Sequence, residues 1–392
     1  MLRPCPICSG EERTILFHQT FSSFSRKSLL SGYDVVICST CGCGFADDIP
    51  SLAEFDTYYR ELSKYEYQHR DGAESPEDLD RFRATVSILK PFLPSREARI
   101  LEVGCATGRL LSLLSEAGYL HVSGLDPSPS CAESAWRLYG VQVRTGSLQE
   151  LLEDDSPADL LILTGVLEHL CDLRGALKSL HQKLSPGGRV FIDVPDVTGF
   201  ERFLDAPYQQ FSTEHIIFFS PASLTGVLAM EGFRPLLFKQ ESRPHTGFST
   251  MPAFWGIFEK TEPDPGVQVR DTDTRAALEG YIQASAQSEI DLFQRIDDLV
   301  EADQPLLVWG VGTLTRRLLS TSRLSSARIA AFIDSNPNIQ GQSFQGIPVI
   351  SPNDLSGRGE AILIASWVFA DEIERQIRDG LGCQNDIIHL RS

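Results

Sequence analysis

No apolar run in this chain of 392 residues approaches the roughly 18 residues needed to cross a bilayer. The longest, 160–163 and 361–370, fall far short. The opening Met1-Leu2-Arg3-Pro4-Cys5 lacks the apolar stretch of a secretory leader, so a cytoplasmic location is the default expectation and no membrane partner is expected. Positive charge is scarce: 35 Lys and Arg stand against 53 Asp and Glu, a net charge of −18. A nucleic-acid partner usually meets a basic face, so none is expected here. A phosphorylated substrate stays open, because a few arginines in one cleft override global charge. There is no short-period repeat and no low-complexity tract. Composition is that of a globular protein, 42% hydrophobic and 22% charged, and the length calls for two or three domains.

Nine cysteines are present, five within the first 43 residues. In a reducing compartment they are not expected to pair as disulfides. Cys5-Pro-Ile-Cys8 and Cys38-Ser-Thr-Cys41 are two C-x2-C knuckles. Each sets two thiolates on a tight turn, and two such turns make a closed S4 site suited to structural Zn²⁺. Cys43 is a rival to Cys41, but only Cys41 keeps the spacing. Ordinary buried cysteines and a DNA-binding finger are the competing readings; the acidic chain and the lack of a basic recognition helix weigh against the second. Cys105, Cys131, Cys171 and Cys383 read as core residues.

From residue 98 strands and helices alternate. Segments 99–103, 122–125, 141–144, 158–163 and 189–194 read as strands, and 109–117, 130–139 and 175–184 as helices, two of them closed by Gly118 and Gly140. A helix over 76–93 precedes them, with Leu79, Phe82, Val86 and Leu89 on one face. This alternation predicts a parallel sheet covered on both faces. Residues 259–275, with Pro263, Pro265 and Gly266, form the best linker candidate, followed by one long helix over 276–302. A second βα alternation starts at Leu306. The expected layout is therefore 1–75, a zinc-binding domain with a helical extension; 76–258, a cofactor domain; 259–302, linker and long helix; and 303–392, a second Rossmann-like α/β domain.

The turn after the first strand of the cofactor domain reads Glu102-Val103-Gly104-Cys105-Ala106-Thr107-Gly108. Small residues there let a ligand approach the backbone. Asp126 ends the second strand in Leu125-Asp126-Pro127-Ser128, where an acid can bind both ribose hydroxyls of an adenosine. Gly146-Ser147-Leu148 follows the third strand, Thr164 and then Val166-Leu167-Glu168-His169 the fourth, and Pro186-Gly187-Gly188 precedes the fifth. In this order, over about residues 80–240, the chain resembles the class I S-adenosylmethionine-dependent methyltransferases. The resemblance implies an α/β Rossmann-like core in which Glu102, Gly104, Ala106 and Gly108 surround the methionine part of S-adenosylmethionine. Asp126 and Pro127 would then lie at the ribose, Ser147 and Leu148 beside the adenine, and Thr164 and His169 at the cofactor's edge. NAD binding is the rival, but a full G-x-G-x-x-G is missing.

Glu214-His215 follows the fifth strand, where ligands of such sheets collect. Histidine titrates near neutrality and can take a proton from a substrate; capping the helix that starts at Ser220-Pro221 is the bland alternative. With the knuckles, the Glu-His pair before Phe218-Phe219-Ser220-Pro221, and the C-terminal Trp309-Gly310-Val311-Gly312, Phe332-Ile333-Asp334 and Ser366-Trp367 stretches, the chain resembles the three-domain sugar C-methyltransferases. That resemblance implies a nucleotide-linked 4-keto sugar as substrate, His215 as general base aided by Glu214, and Tyr65 near the reacting centre. It also implies a vestigial C-terminal Rossmann-like domain closing over the substrate. Where that family has a tyrosine and a histidine before Glu-His, this chain has Ser212-Thr213. Sugar or small-molecule O-methylation therefore stays open, as does a non-catalytic nucleotide-sugar-binding scaffold. Arg316 and Arg317 are candidates for a diphosphate, and a monomer or small homo-oligomer is expected.

Overall fold

The computed structural model describes residues 3–23, 29–62, 74–153, 156–204, 206–246 and 249–390. The chain forms two compact units. The first comprises residues 1–16, 35–200 and 214–278, the second 17–34, 201–213 and 279–392. This division cuts across the layout expected from sequence. The cysteine-rich segment shares a unit with the cofactor domain, and the second unit is assembled from three stretches of chain.

In chain order the N-terminal segment supplies strands β1 (Arg13–Thr20), β2 (Gly32–Cys38) and β3 (Gly44–Asp47), then helices α1 (Leu52–Leu62) and α2 (Pro76–Leu89). The cofactor domain follows as β4 (Arg99–Val103), α3 (Arg109–Glu116), β5 (His121–Asp126), α4 (Pro129–Tyr139), β6 (Val143–Thr145), β7 (Ala158–Thr164), α5 (Leu173–Lys183) and β8 (Leu184–Pro195). It closes with β9 (Ile217–Phe218), α6 (Pro221–Met230), β10 (Phe233–Thr246) and β11 (Ser249–Lys260). Its sheet runs β10-β11-β8-β7-β4-β5-β6. Strands β4 to β8 are parallel, but β11 is antiparallel to both β8 and β10. The all-parallel expectation is thus corrected to a mixed sheet. The β10–β11 pair, residues 233–260, has no counterpart in the βα rhythm, because antiparallel pairing of two long strands depends on partners the local pattern does not name.

Local chemistry accounts for most element ends. Gly118 and Gly140 take left-handed conformations after α3 and α4, as their positions predicted. Ser128 caps α4 by accepting from the Cys131 amide, and Ser75 caps α2 from the Asp78 amide. Pro91 shortens α2 to Leu89, leaving one 3₁₀ turn over Lys90–Phe92. Pro186-Gly187-Gly188 lies inside β8 as a register shift, so that strand begins at Leu184 rather than 189. Under the sheet, Ile100, Leu160, Ile162, Phe191 and Ile257 pack against Val86, Leu89, Leu110 and Leu114 from α2 and α3. The 261–273 segment is no free tether: the Asp271 amide donates to the Cys41 carbonyl at 2.7 Å, and its buried carboxylate accepts from the hydroxyls of Ser220 and Thr274.

Helix α7 (Thr274–Ala302) leads into the second unit. There β12 (Leu306–Trp309), α8 (Thr313–Thr321), β13 (Ile329–Ile333), β14 (Ser343–Phe344), β15 (Ile347–Ile350), β16 (Ala361–Ile364), α9 (Ala370–Arg375) and β17 (Ile387–His389) make a sheet of order β14-β15-β13-β12-β16-β17. All pairings but β14–β15 are parallel, in line with a second Rossmann-like α/β fold. Arg317 is buried among Glu289, Gln19 and the Tyr208 ring, and Arg316 donates to the carbonyls of Ser22 and Leu30. Both arginines are committed to packing, so the diphosphate role considered for them is withdrawn.

Candidate functional site

Strand β4 lies between β5 and β7, so the carboxyl ends of these three parallel strands are neighbours on the sheet edge where the sequence places the cofactor. Gly104 has φ +71° after β4, and a Cβ there would come within 2.6 Å of Val166 Cγ2 on the loop after β7. Gly108 has φ +77° and opens α3. Ala106 also takes a positive φ, and its amide donates to Asp126 Oδ2 at 2.8 Å. Asp126 Oδ1 accepts from the Ser128 amide. Asp126 thus ties the first turn to the end of β5, and its carbonyl accepts from the Gly146 amide that leads to Ser147 and Leu148. Pro127 lies between these contacts, ahead of the cap of α4.

Two buried polar atoms in this crevice have no hydrogen-bond partner among the described residues: Glu102 Oε2 and Thr164 Oγ1. They sit on adjacent parallel strands, β4 and β7. Burial pushes the Glu102 carboxyl up to about 8, opposed by Arg81 and assisted by Asp126. Orphaned polar groups are costly in a dry interior, and a ligand carrying an amine, carboxylate and hydroxyls answers that cost. A glycine turn that a Cβ would close, an acid at the second strand and two unsatisfied polar atoms fit S-adenosylmethionine.

Beyond β7 the chain turns through a 3₁₀ segment, Leu167–His169. The Glu168 carbonyl accepts from the Ile216 amide at 2.8 Å, drawing the Glu214-His215 segment to the crevice. The other side of that segment is held by β3, which pairs antiparallel with β9 (Phe45 opposite Ile217), and by Arg3, whose guanidinium donates to the Ile216 carbonyl. His215 does not cap α6; Ser220 does, accepting from the Ser223 amide in a capping box.

Around His215 the side chains form one cluster. Its ring lies edge-on to His169, centroids 5.0 Å apart. His169 Nδ1 is 3.0 Å from the Glu214 carbonyl oxygen and 3.1 Å from the Tyr59 hydroxyl. The buried Glu214 carboxylate accepts from the Tyr58 hydroxyl at 2.8 Å. Tyr58 and Tyr59 lie in the helical extension of the N-terminal segment and are not among the residues that the sequence motifs mark. The available signal was their spacing: Phe55 is buried, and positions 55, 58 and 59 share one face of α1. Tyr65, the tyrosine expected near the reacting centre, lies outside the described residues.

In the cysteine cluster Cys5, Cys8, Cys38 and Cys41 bring their sulfurs within 4.8 Å of one another. Cys5 and Cys41 are 3.5 Å apart, as are Cys8 and Cys38. Gly42 has φ +82°, and a Cβ there would lie 1.9 Å from the Asp271 carbonyl oxygen, so this knuckle demands glycine. Cys43 is fully buried and bonds the Gly44 carbonyl rather than joining the four. Four convergent sulfurs fit a tetrahedral soft-donor ion.

A family model described as a methyltransferase domain matches residues 75–237, and one described as C2185-like, N-terminal matches residues 302–389. Among curated relatives, a tRNA U34 carboxymethyltransferase of Campylobacter hominis is 25% identical over 218 residues, 51% of this chain and 76% of that protein. A ubiquinone biosynthesis O-methyltransferase of Xylella fastidiosa is 34% identical over 107 residues, 26% of this chain and 43% of that protein. The chain therefore spans about three quarters of the first relative and less than half of the second. A solved S-adenosylmethionine-dependent methyltransferase from Mesorhizobium loti covers 46% of this chain and all of its own, at 16% identity and a TM-score of 0.38. The ordered motifs, the domain model over residues 75–237 and the curated relatives lead to one conclusion: the chain contains a class I S-adenosylmethionine-dependent methyltransferase domain.

Proposed function

We propose that the acceptor is a small nucleotide-linked deoxysugar, methylated beside its ketone, with His215 as general base. The observation that carries this reading is the cluster of His215, Glu214 and Tyr58 beside the cofactor crevice: one titratable ring with a buried carboxylate and a phenol. S-adenosylmethionine supplies an electrophilic methyl group, so the protein's main task is alignment. Glu102, Gly104, Ala106, Gly108, Asp126, Pro127, Ser147, Leu148 and Thr164 would hold the cofactor. His215 would take the proton next to the carbonyl, and the carbon left with the electron pair would accept the methyl as its bond to the sulfonium sulfur breaks and S-adenosylhomocysteine departs. Tyr58, through its bond to Glu214, fixes that carboxylate and brings a phenol near the reacting centre. It offers a phenol, which Ser212-Thr213 lacks where the sugar C-methyltransferases carry tyrosine.

A structural Zn²⁺ bound by Cys5, Cys8, Cys38 and Cys41 completes the reading. With four thiolates the ion has no open position and takes no part in chemistry. Its effect reaches the site through β3, which follows the second knuckle and pairs with β9 directly after His215.

The second reading is transfer to oxygen, with the same histidine deprotonating a hydroxyl. The 34% identity to a ubiquinone biosynthesis O-methyltransferase favours it. Incubating the protein with S-adenosylmethionine and a panel of nucleotide-linked 4-keto sugars, with products read by mass spectrometry, tests both. Solvent deuterium entering beside the ketone, and lost in His215→Ala, is expected for carbon transfer; a methyl ether in the product establishes oxygen transfer. His215→Ala should bind cofactor and lose most turnover, and wild-type turnover in that variant rejects the base assignment.

A further inference from the structure

Glu168, His169 and His215 converge on one point. Their ligand atoms, one per residue, all lie within 4.8 Å of one another. We infer that these three side chains form a second metal site, one that takes a divalent first-row cation through two imidazoles and a carboxylate and is separate from the thiolate cluster.

Three independent observations support the site. Glu168 is 3% exposed, and its Oε2 has no hydrogen-bond partner among the described residues; a buried carboxylate oxygen in that state is stabilised by a cation. His169 is already oriented as a ligand. The Glu214 carbonyl at 3.0 Å can only accept, so the ring proton sits on Nδ1. Nε2, the ring nitrogen without the proton, lies 3.9 Å from Glu168 Oε1. A backbone carbonyl fixing the far nitrogen of a ligating histidine is the usual outer partner in metal sites. Finally, the donors are carried on tied backbone: Glu168 and His169 on the 3₁₀ turn after β7, and His215 on the segment whose Ile216 amide bonds the Glu168 carbonyl. Metal bonds of about 2.1 Å place adjacent donors about 3–3.5 Å apart, a closure that side-chain torsions supply. Two imidazoles and one carboxylate suit nitrogen- and oxygen-preferring ions and leave coordination positions for other ligands.

The consequence for turnover rests on the reading of His215 as base. A ligated His215 nitrogen has no lone pair for a substrate proton, so ion and proton compete for it and loading the site slows turnover. The test is a Mn²⁺ titration of the full chain followed by electron paramagnetic resonance. Mn²⁺ binds thiolates poorly, so the cysteine cluster stays out of the measurement. One retained Mn²⁺ per chain is expected, with affinity at least tenfold weaker in Glu168→Gln and in His215→Ala. S-adenosylmethionine binding in the same samples verifies that the variants fold. No retained Mn²⁺ in the wild type, or equal retention in both variants, overturns the site. Turnover of the Mn²⁺-loaded protein separates the two ideas: faster turnover with Mn²⁺ retained rejects the free-base reading of His215 and leaves the site standing.

Discussion

Tyr58 reaches the site through a long-range contact. It lies 156 positions from Glu214, yet its hydroxyl donates to Oε1 at 2.8 Å. A hydrogen bond to a charged group contributes about 1.5–3 kcal/mol, and about 1.4 kcal/mol is tenfold in rate. Tyr58→Phe should therefore lower kcat roughly tenfold or more and leave cofactor affinity within about twofold, as read by steady-state kinetics beside calorimetry. Glu102 offers a pH signature. Its carboxyl titrates near 8 in the fold against an ordinary 4.5. Between those values the folded state holds a proton that the unfolded chain has released, so stability is greatest at the acid end of the interval. It falls as pH rises toward 8. Urea midpoints of the cofactor-free protein should decline from pH 5 to pH 8, and Glu102→Gln should flatten the decline. An unchanged slope in that variant would reject the assignment.

At the scale of elements, the knuckle and the strand after His215 form one mechanical path. The second knuckle ends at Cys41; β3 starts at Gly44 and pairs with β9. Gly42 is the tight point, since a methyl there meets a backbone carbonyl at 1.9 Å in a conformation that already disfavours side chains. Gly42→Ala should destabilise the first unit by about 3 kcal/mol or more, seen as a lower midpoint in its unfolding transition. Gly104→Ala contrasts with it. The methyl would meet the side-chain atom Val166 Cγ2 at 2.6 Å, so stability should suffer less and cofactor affinity more. A chelator that strips the proposed zinc from the four cysteines should depress kcat along with stability, because the β3–β9 pairing after His215 loosens. Full turnover in protein shown by metal analysis to be zinc-free would separate the cluster from the site.

At the scale of the whole molecule, each unit is built from chain segments far apart in sequence. In the second, Arg317 bonds Glu289 and Gln19 and stacks on Tyr208 at 4.0 Å, joining all three of that unit's stretches. Arg317→Met leaves a buried carboxylate alone and should cost about 3–5 kcal/mol, most of it recovered by adding Glu289→Leu. Thermal unfolding of the two variants checks this. What local chemistry controls is legible in the order of residues: the two C-x2-C spacings, the βα rhythm from residue 99, the glycine turn at 104–108 with Asp126, and helix ends at Gly118 and Gly140. Each depends on neighbours in the chain, where residue type and spacing act directly. Long-range packing settles which distant segments share a unit, that β10 and β11 return antiparallel beside β8, that Arg317 is buried and paired, and that Tyr58 meets Glu214 while His169 meets Tyr59 and His215. Those outcomes depend on long-range pairing and burial, where the partner of a group is set by the packing of the fold and no local pattern names it.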